Sequence, residues 1–125
     1  SSDHVVLALP LTEASRHLLN AEAFAHCKPG MHLVNVARGG LVDQEALRQA
    51  LDSGLLAAAT LDVTEPEPLP ENHWLYSHPK VRLTPHISWA AGDVQARIGS
   101  KFAENLQRYC NALPLLDLVD LSRGY

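Results

Sequence analysis

Residues 31–63, MHLVNVARGGLVDQEALRQALDSGLLAAATLDV, decide the fold. Met31 to Ala37 is mostly apolar and reads as a strand. Gly39-Gly40 then breaks the chain. From Asp43, a natural N-cap, the apolar positions Ala46, Leu47, Ala50 and Leu51 recur at helical spacing as far as Ser53, and Gly54 closes the helix. Leu56 to Val63 is a second apolar run of strand length. Strand, helix and strand joined by such short connections make a βαβ unit, whose strands lie parallel with the helix packed across them.

The same pattern extends in both directions. Upstream, His4 to Leu9 is a short apolar run stopped by Pro10 and reads as another parallel strand, buried on both faces. Thr12 to Leu19 and Ala21 to Lys28 read as helical, with Asn20 an N-cap for the second and Pro29-Gly30 its terminator. Downstream, repeated prolines make a loop of Thr64 to Pro70, and Val81 to Thr84 is a fourth strand. From about Trp89 to Ala112 the positions Val94, Ile98, Phe102 and Leu106, with Ala103 and Tyr109 beside them, predict one long amphipathic helix before an irregular tail ending at Tyr125. The fold class is therefore α/β, the second half of a doubly wound parallel sheet of the Rossmann type, with residues 1–88 in that half-domain and 89–125 forming a helix and tail. The sheet begins as though at its middle strand, so the chain is expected to be part of a longer protein.

Composition narrows the partners. The 125 residues are 46% hydrophobic with a net charge of −4, and the basic residues are scattered, so no cationic stripe exists for a nucleic-acid backbone. Cys27 and Cys110 match no metal-ligand spacing and fit a reducing, cytoplasmic compartment. No apolar run approaches the roughly 20 residues that span a bilayer, and no signal peptide is visible at Ser1.

In an open parallel sheet, ligands sit beyond the carboxyl ends of the strands. That places Leu9-Pro10, Ala37-Arg38, Asp62 and the segment Thr84 to His86 along one edge. Arg38 follows a strand and precedes two glycines that would let backbone approach a ligand closely, and its planar fork suits a carboxylate. It could equally cap strand carbonyls or pair with Asp43. Asp62, Glu65 and Glu67 gather at the end of another strand, where a solvated acidic loop is the alternative. His86 follows the fourth strand, and Pro85 restricts the backbone before it; histidine is the natural proton shuttle near neutral pH. The histidines at 4, 17, 26, 32, 73 and 78 have no such setting.

Asn35-Val-Ala-Arg-Gly-Gly-Leu-Val-Asp43, Leu61-Asp-Val-Thr-Glu-Pro-Glu-Pro68 and Thr84-Pro-His-Ile-Ser88, with Leu9-Pro10-Leu11-Thr12 ahead of them, resemble successive signature motifs of the D-isomer-specific 2-hydroxyacid dehydrogenases. The resemblance implies a nicotinamide enzyme, using NAD or NADP, that interconverts a small 2-oxo acid and a D-2-hydroxy acid, as a homodimer when full-length. It implies that His86 is the general acid and base, Glu67 its carboxylate partner, and Arg38 the group that binds the substrate carboxylate. Asp62 is implied to bond the nicotinamide carboxamide, Leu9, Pro10, Val36 and Ala37 to line the cofactor, and Arg38, His86 and Trp89 to lie within its reach. Glu65 is expected to leave the pH profile untouched. Helix and tail 89–125 are implied to return to the substrate domain.

Val36 and Thr64 depart from the family pattern, which often has a small polar residue and an aromatic there. Trp89 resembles the glycerate and hydroxypyruvate branch. No G-x-G-x-x-G occurs, so the phosphate-binding loop is expected upstream of Ser1 and the isolated chain is expected to be inactive. Formate dehydrogenases, which resemble a glutamine at the place of Glu67, and nucleotide-sensing co-repressors on the same fold are the rival readings.

Overall fold

The computed structural model describes residues 2–122, which fall into two compact units divided after Ile87. In the first, strands β1 (His4–Leu7), β2 (Met31–Asn35), β3 (Leu56–Leu61) and β4 (Val81–Leu83) form a single parallel sheet in the order β1-β2-β3-β4. Helix α1 (Ala21–Ala25) lies in the first crossover and α2 (Gln44–Asp52) in the second.

Local chemistry sets the helix ends. The Asn20 side chain accepts from the Ala23 N–H at 2.9 Å, and Asp43 Oδ1 accepts from Glu45 and Ala46 at 3.0 and 3.1 Å, each satisfying donors that α1 and α2 leave unpaired. Gly54, at φ +80°, takes the left-handed position that ends α2. Burial then selects one face of the sheet. Leu33, Leu56, Ala59 and Leu61 are buried against Phe24 of α1 and Ala46, Leu47, Ala50 and Leu51 of α2. Each fully buried leucine contributes roughly 1.5–3 kcal/mol. Cys27 lines this core, donates to Ala23 O at 3.4 Å, and burial raises its thiol pKa, away from a reactive thiolate.

Two expectations from the sequence are corrected. The first strand is not buried on both faces: Val6 is 59% exposed, and His4 and Arg82 on the same side of the sheet are exposed as well. Consecutive right-handed crossovers that advance in one direction across a sheet put their helices on one side, so one face alone is covered within this unit. Residues 12–19 are not a helix. One turn forms, with Arg16 N donating to Thr12 O at 3.0 Å and Thr12 and Ser15 exchanging side-chain bonds. His17 then takes φ +51°, its N–H turns to Gly40 O, and Leu19 pairs as an isolated parallel bridge with Val42. Tertiary pairing outcompetes the helix.

In the second unit, α3 (Val94–Cys110) begins later than the periodicity predicts and ends where Ala112 adopts φ +53°, with Leu113 N bonded to Arg108 O. Asn105 clamps the tail by accepting from Leu116 N and donating to Leu116 O, and Lys101 pairs with Asp117 at 2.8 Å. That carboxylate's hydrogen bond and charge raise the Lys101 pKa. Ile98, Phe102, Leu106 and Tyr109 form an exposed apolar stripe on α3. Residues 123–125 of the tail lie outside the described residues.

Among the described residues β1 pairs with β2 alone, so its other edge is open. With Val6 and the α3 stripe also exposed, the isolated chain is expected to self-associate. Sedimentation velocity over a concentration series should show growing species; an unchanging monomer would contradict this.

Candidate active site

Because all four strands run parallel, the residues that follow them share one edge of the sheet. After β2, Asn35 is the organiser: 1% exposed, it donates from Nδ2 to Arg38 O at 2.9 Å and accepts from Ala37 N at 3.1 Å. One buried amide thus folds the backbone that presents Arg38. The Arg38 side chain is exposed, with Nη1 donating to Ala37 O at 2.7 Å. It caps a carbonyl of its own turn, and no ion pair joins it to Asp43, whose Oδ1 caps α2.

After β3 and β4, Asp62 plays the equivalent part. It is 3% exposed, and its Oδ1 accepts from the Thr84 hydroxyl and, at 3.0 Å, from Ile87 N. Its backbone is also bonded, Asp62 N to Asn35 O and His86 N to Asp62 O, both at 2.9 Å. The turn so held places His86 at φ +53°, a left-handed conformation that a non-glycine residue adopts only under constraint. His86 Nδ1 lies 2.9 Å from Glu67 Oε1, with both side chains 39% exposed. The second acid of the loop therefore faces the histidine, while Glu65 faces Arg16, 3.0 Å away. An open cleft lined by Asp62, Thr64, Glu67, Leu69, Tyr76 and Thr84 adjoins the pair.

The glycine pair has a role that the sequence did not show. A Cβ on Gly39 would fall 2.0 Å from Thr64 O and 2.7 Å from Glu65 N. The glycine admits the neighbouring acidic loop, and the close approach is of backbone to backbone. The Gln44 side chain donates to Glu65 O across the same junction. Arg38 and Glu67 thus stand on two loops packed directly together.

Of the other residues singled out in the sequence, Leu9 packs against the core, Pro10 is exposed, Val36 is 37% exposed and Ala37 is buried. Trp89 belongs to the second unit and is 60% exposed there. Sequence reasoning assigned no part to Asn35, Gln44 or Thr84. Asn35 did carry a signal, as a polar residue at the end of an apolar strand, where an unpaired amide would be costly to bury.

Residues 1–88 match the family described as D-isomer specific 2-hydroxyacid dehydrogenase, NAD binding domain. The chain belongs to that family. Over 121 residues it is 37% identical to a D-3-phosphoglycerate dehydrogenase of Bacillus subtilis, covering 97% of this chain and 23% of that protein. A D-isomer specific 2-hydroxyacid dehydrogenase from Xanthobacter autotrophicus Py2, solved in complex with NADPH and MES, is 45% identical with a TM-score of 0.89, over 99% of this chain and 50% of that one. An NADPH-dependent glyoxylate/hydroxypyruvate reductase from Sinorhizobium meliloti, in complex with NADP and sulfate, is 35% identical with a TM-score of 0.89, over 99% and 40%. The chain thus spans half or less of these dehydrogenases. Its four-stranded parallel sheet with α1 and α2 is the α/β, Rossmann-like architecture of their NAD-binding domain. Among the described residues no helix is long and apolar enough to cross a membrane.

Proposed function

We propose that a full-length dehydrogenase carrying these residues reversibly reduces a small 2-oxo acid, such as glyoxylate or hydroxypyruvate, to the D-2-hydroxy acid with NADH or NADPH. The observation that supports this most is the Glu67–His86 contact at the strand-end edge that also presents Arg38.

The strand-end edge fits the nicotinamide end of the cofactor: the half-exposed Val36 and the exposed Pro10 offer apolar surface, and the buried carboxylate of Asp62 lies beyond the next strand. Leu9, Pro10, Val36 and Ala37 would hold the ring, with Asp62 towards its carboxamide. When bound, the nicotinamide supplies or accepts the hydride. Arg38 binds the substrate carboxylate through two parallel N–H bonds and polarises the carbonyl. Glu67 engages Nδ1, so proton exchange with the substrate falls to Nε2 of His86. In reduction that proton passes to the carbonyl oxygen; in oxidation the neutral ring takes it from the hydroxyl. Glu67 fixes the ring plane by accepting from Nδ1–H.

Residues 89–125 are proposed to belong with the substrate domain, and the enzyme to work as a cytoplasmic homodimer. Steady-state assays of the full-length protein with glyoxylate and hydroxypyruvate test the activity; binding of the dinucleotide with turnover of no 2-oxo acid would overturn it. Within that assay, Arg38→Lys should raise KM for the oxo acid about tenfold or more, the cost of a charged hydrogen bond, with a smaller change in KM for NAD(P)H. Equal effects on both would move Arg38 to the cofactor or the scaffold.

A further inference from the structure

Glu65 turns away from His86 and gathers a different part of the chain. Arg16 Nη1 lies 3.0 Å from both Oε1 and Oε2 of Glu65, and His17 Nε2 lies 3.8 Å from Oε2. The backbone around this contact is tied in as well. His17 N donates to Gly40 O at 2.8 Å, the Gln44 amide donates to Glu65 O, and Ser15 Oγ donates to Pro10 O at 2.8 Å. Three loops therefore converge on one carboxylate: the loop after β1, the turn after β2 that carries Arg38, and the loop after β3 that carries Glu67.

The Arg16 side chain is 50% exposed and that of Glu65 39% exposed. An ion pair this open to water adds little to overall stability. What it can supply is placement, because Glu67 is two residues beyond Glu65 on a loop that meets the turn after β2 at Thr64 and Glu65 and is next held at Leu69, which packs against the core and accepts from the Tyr76 hydroxyl.

We infer that Arg16, acting through Glu65, is a positioning residue for the proton-transfer pair, registering the loop after β3 against the loop after β1 so that Glu67 stays within hydrogen-bond reach of His86 Nδ1. The inference rests on the reading of Glu67 and His86 given above, and it gives Glu65 a part in holding the loop. Ionisable groups that meet His86 include Glu67, through its ring, and Asp62, through its backbone. Arg16 works on the first of these by geometry.

The test uses the full-length enzyme and the variants Arg16→Ala, Arg16→Lys, Glu65→Gln and Glu67→Gln. Arg16→Ala should lower kcat for oxo-acid reduction about tenfold, a decade less than the roughly hundredfold cost of an ångström's misplacement, with KM for NAD(P)H unchanged. Its loss of kcat should be smaller than that of Glu67→Gln. Arg16→Lys should recover part of the loss. Combined with Glu67→Gln, Arg16→Ala should add almost nothing, because both act through one carboxylate. A change in Tm with kcat intact would overturn the inference, as would fully additive effects. If Glu67→Gln lowers kcat and Arg16→Ala does not, the positioning role alone fails. If Glu67→Gln leaves kcat in place, the pair itself has been misread and the inference falls with it. Should Arg16→Ala not fold, Glu65→Gln breaks the same ion pair with little change of shape and decides the question by the same readouts.

Discussion

Gly39→Ala is expected to destabilise the NAD-binding domain by about 3 kcal/mol or more and to reduce turnover by roughly a hundredfold. The cause is space. Gly39 is not in the left-handed region, so alanine could adopt its backbone conformation, but the new methyl would sit 2.0 Å from Thr64 O and 2.1 Å from Thr64 C. Both are backbone atoms, which cannot rotate away. The loop of residues 64–68 must lift off the turn, and with it goes Glu67, which lies 2.9 Å from His86 Nδ1. Gly40 supplies the comparison. A methyl there meets Leu11 Cδ2 at 3.0 Å and the Glu65 carboxylate oxygens at 3.1 and 3.2 Å, all ends of side chains that can give way. Gly40→Ala should therefore cost less in both Tm and kcat than Gly39→Ala. Equal losses at the two positions, or a Gly39→Ala enzyme of ordinary activity, would show that the two loops are not held in register by this contact.

That contact marks where the sequence stops being informative. A pair of glycines after a strand states that side chains are not wanted there, and says nothing about what comes close instead. A ligand and a second loop are equivalent readings until the position of residues 64–65 is known. By contrast, α2 and its flanking strands were legible because their signals are local: Asp43 at the cap, apolar positions at helical spacing, and Gly54 at the end. The stretch 12–19 carried a helical pattern too, and one turn of it forms, but the N–H of His17 and that of Leu19 find partners on Gly40 and Leu41. Those acceptors are more than twenty residues away in sequence, so no local pattern could reveal them. The burial of β1 was misjudged for a related reason. An apolar strand shows that it can be covered on two sides, while the cover itself depends on where other segments pack.

The site divides along the same line. Arg38, Asp62 and His86 were readable as polar residues at the ends of apolar strands, a position that topology alone converts into a shared edge. The choice of Glu67 over Glu65 was not readable from spacing, and came from the family resemblance. The geometry separates them, one carboxylate at 2.9 Å from His86 Nδ1 and the other at 3.0 Å from Arg16 Nη1. The supporting bonds of Asn35, Gln44 and Thr84 hold the presenting turns in place, and all but the Asn35 bonds span long sequence distances.

His86→Ala in the full-length enzyme should lower kcat for oxo-acid reduction by about 10²–10⁴-fold, the usual worth of a general acid. The binding of NAD(P)H should change little by comparison, since the proposed cofactor contacts at Asp62, Val36 and Ala37 remain. Glu67→Gln should act differently, because glutamine keeps the shape and a hydrogen-bonding oxygen while removing the charge. Oε1 of Glu67 meets Nδ1 of His86 at 2.9 Å, so the carboxylate acts through the ring proposed to carry the proton. Its neutral replacement should therefore lower kcat in both directions by less than His86→Ala does, with KM for NAD(P)H unchanged, and adding Glu67→Gln to His86→Ala should cost almost nothing more. Steady-state rates for both directions, measured on one preparation, give the answer. A loss on Glu67→Gln as large as that on His86→Ala, or one that persists in full when the imidazole is already gone, would show that Glu67 supports the loop and not the ring of His86.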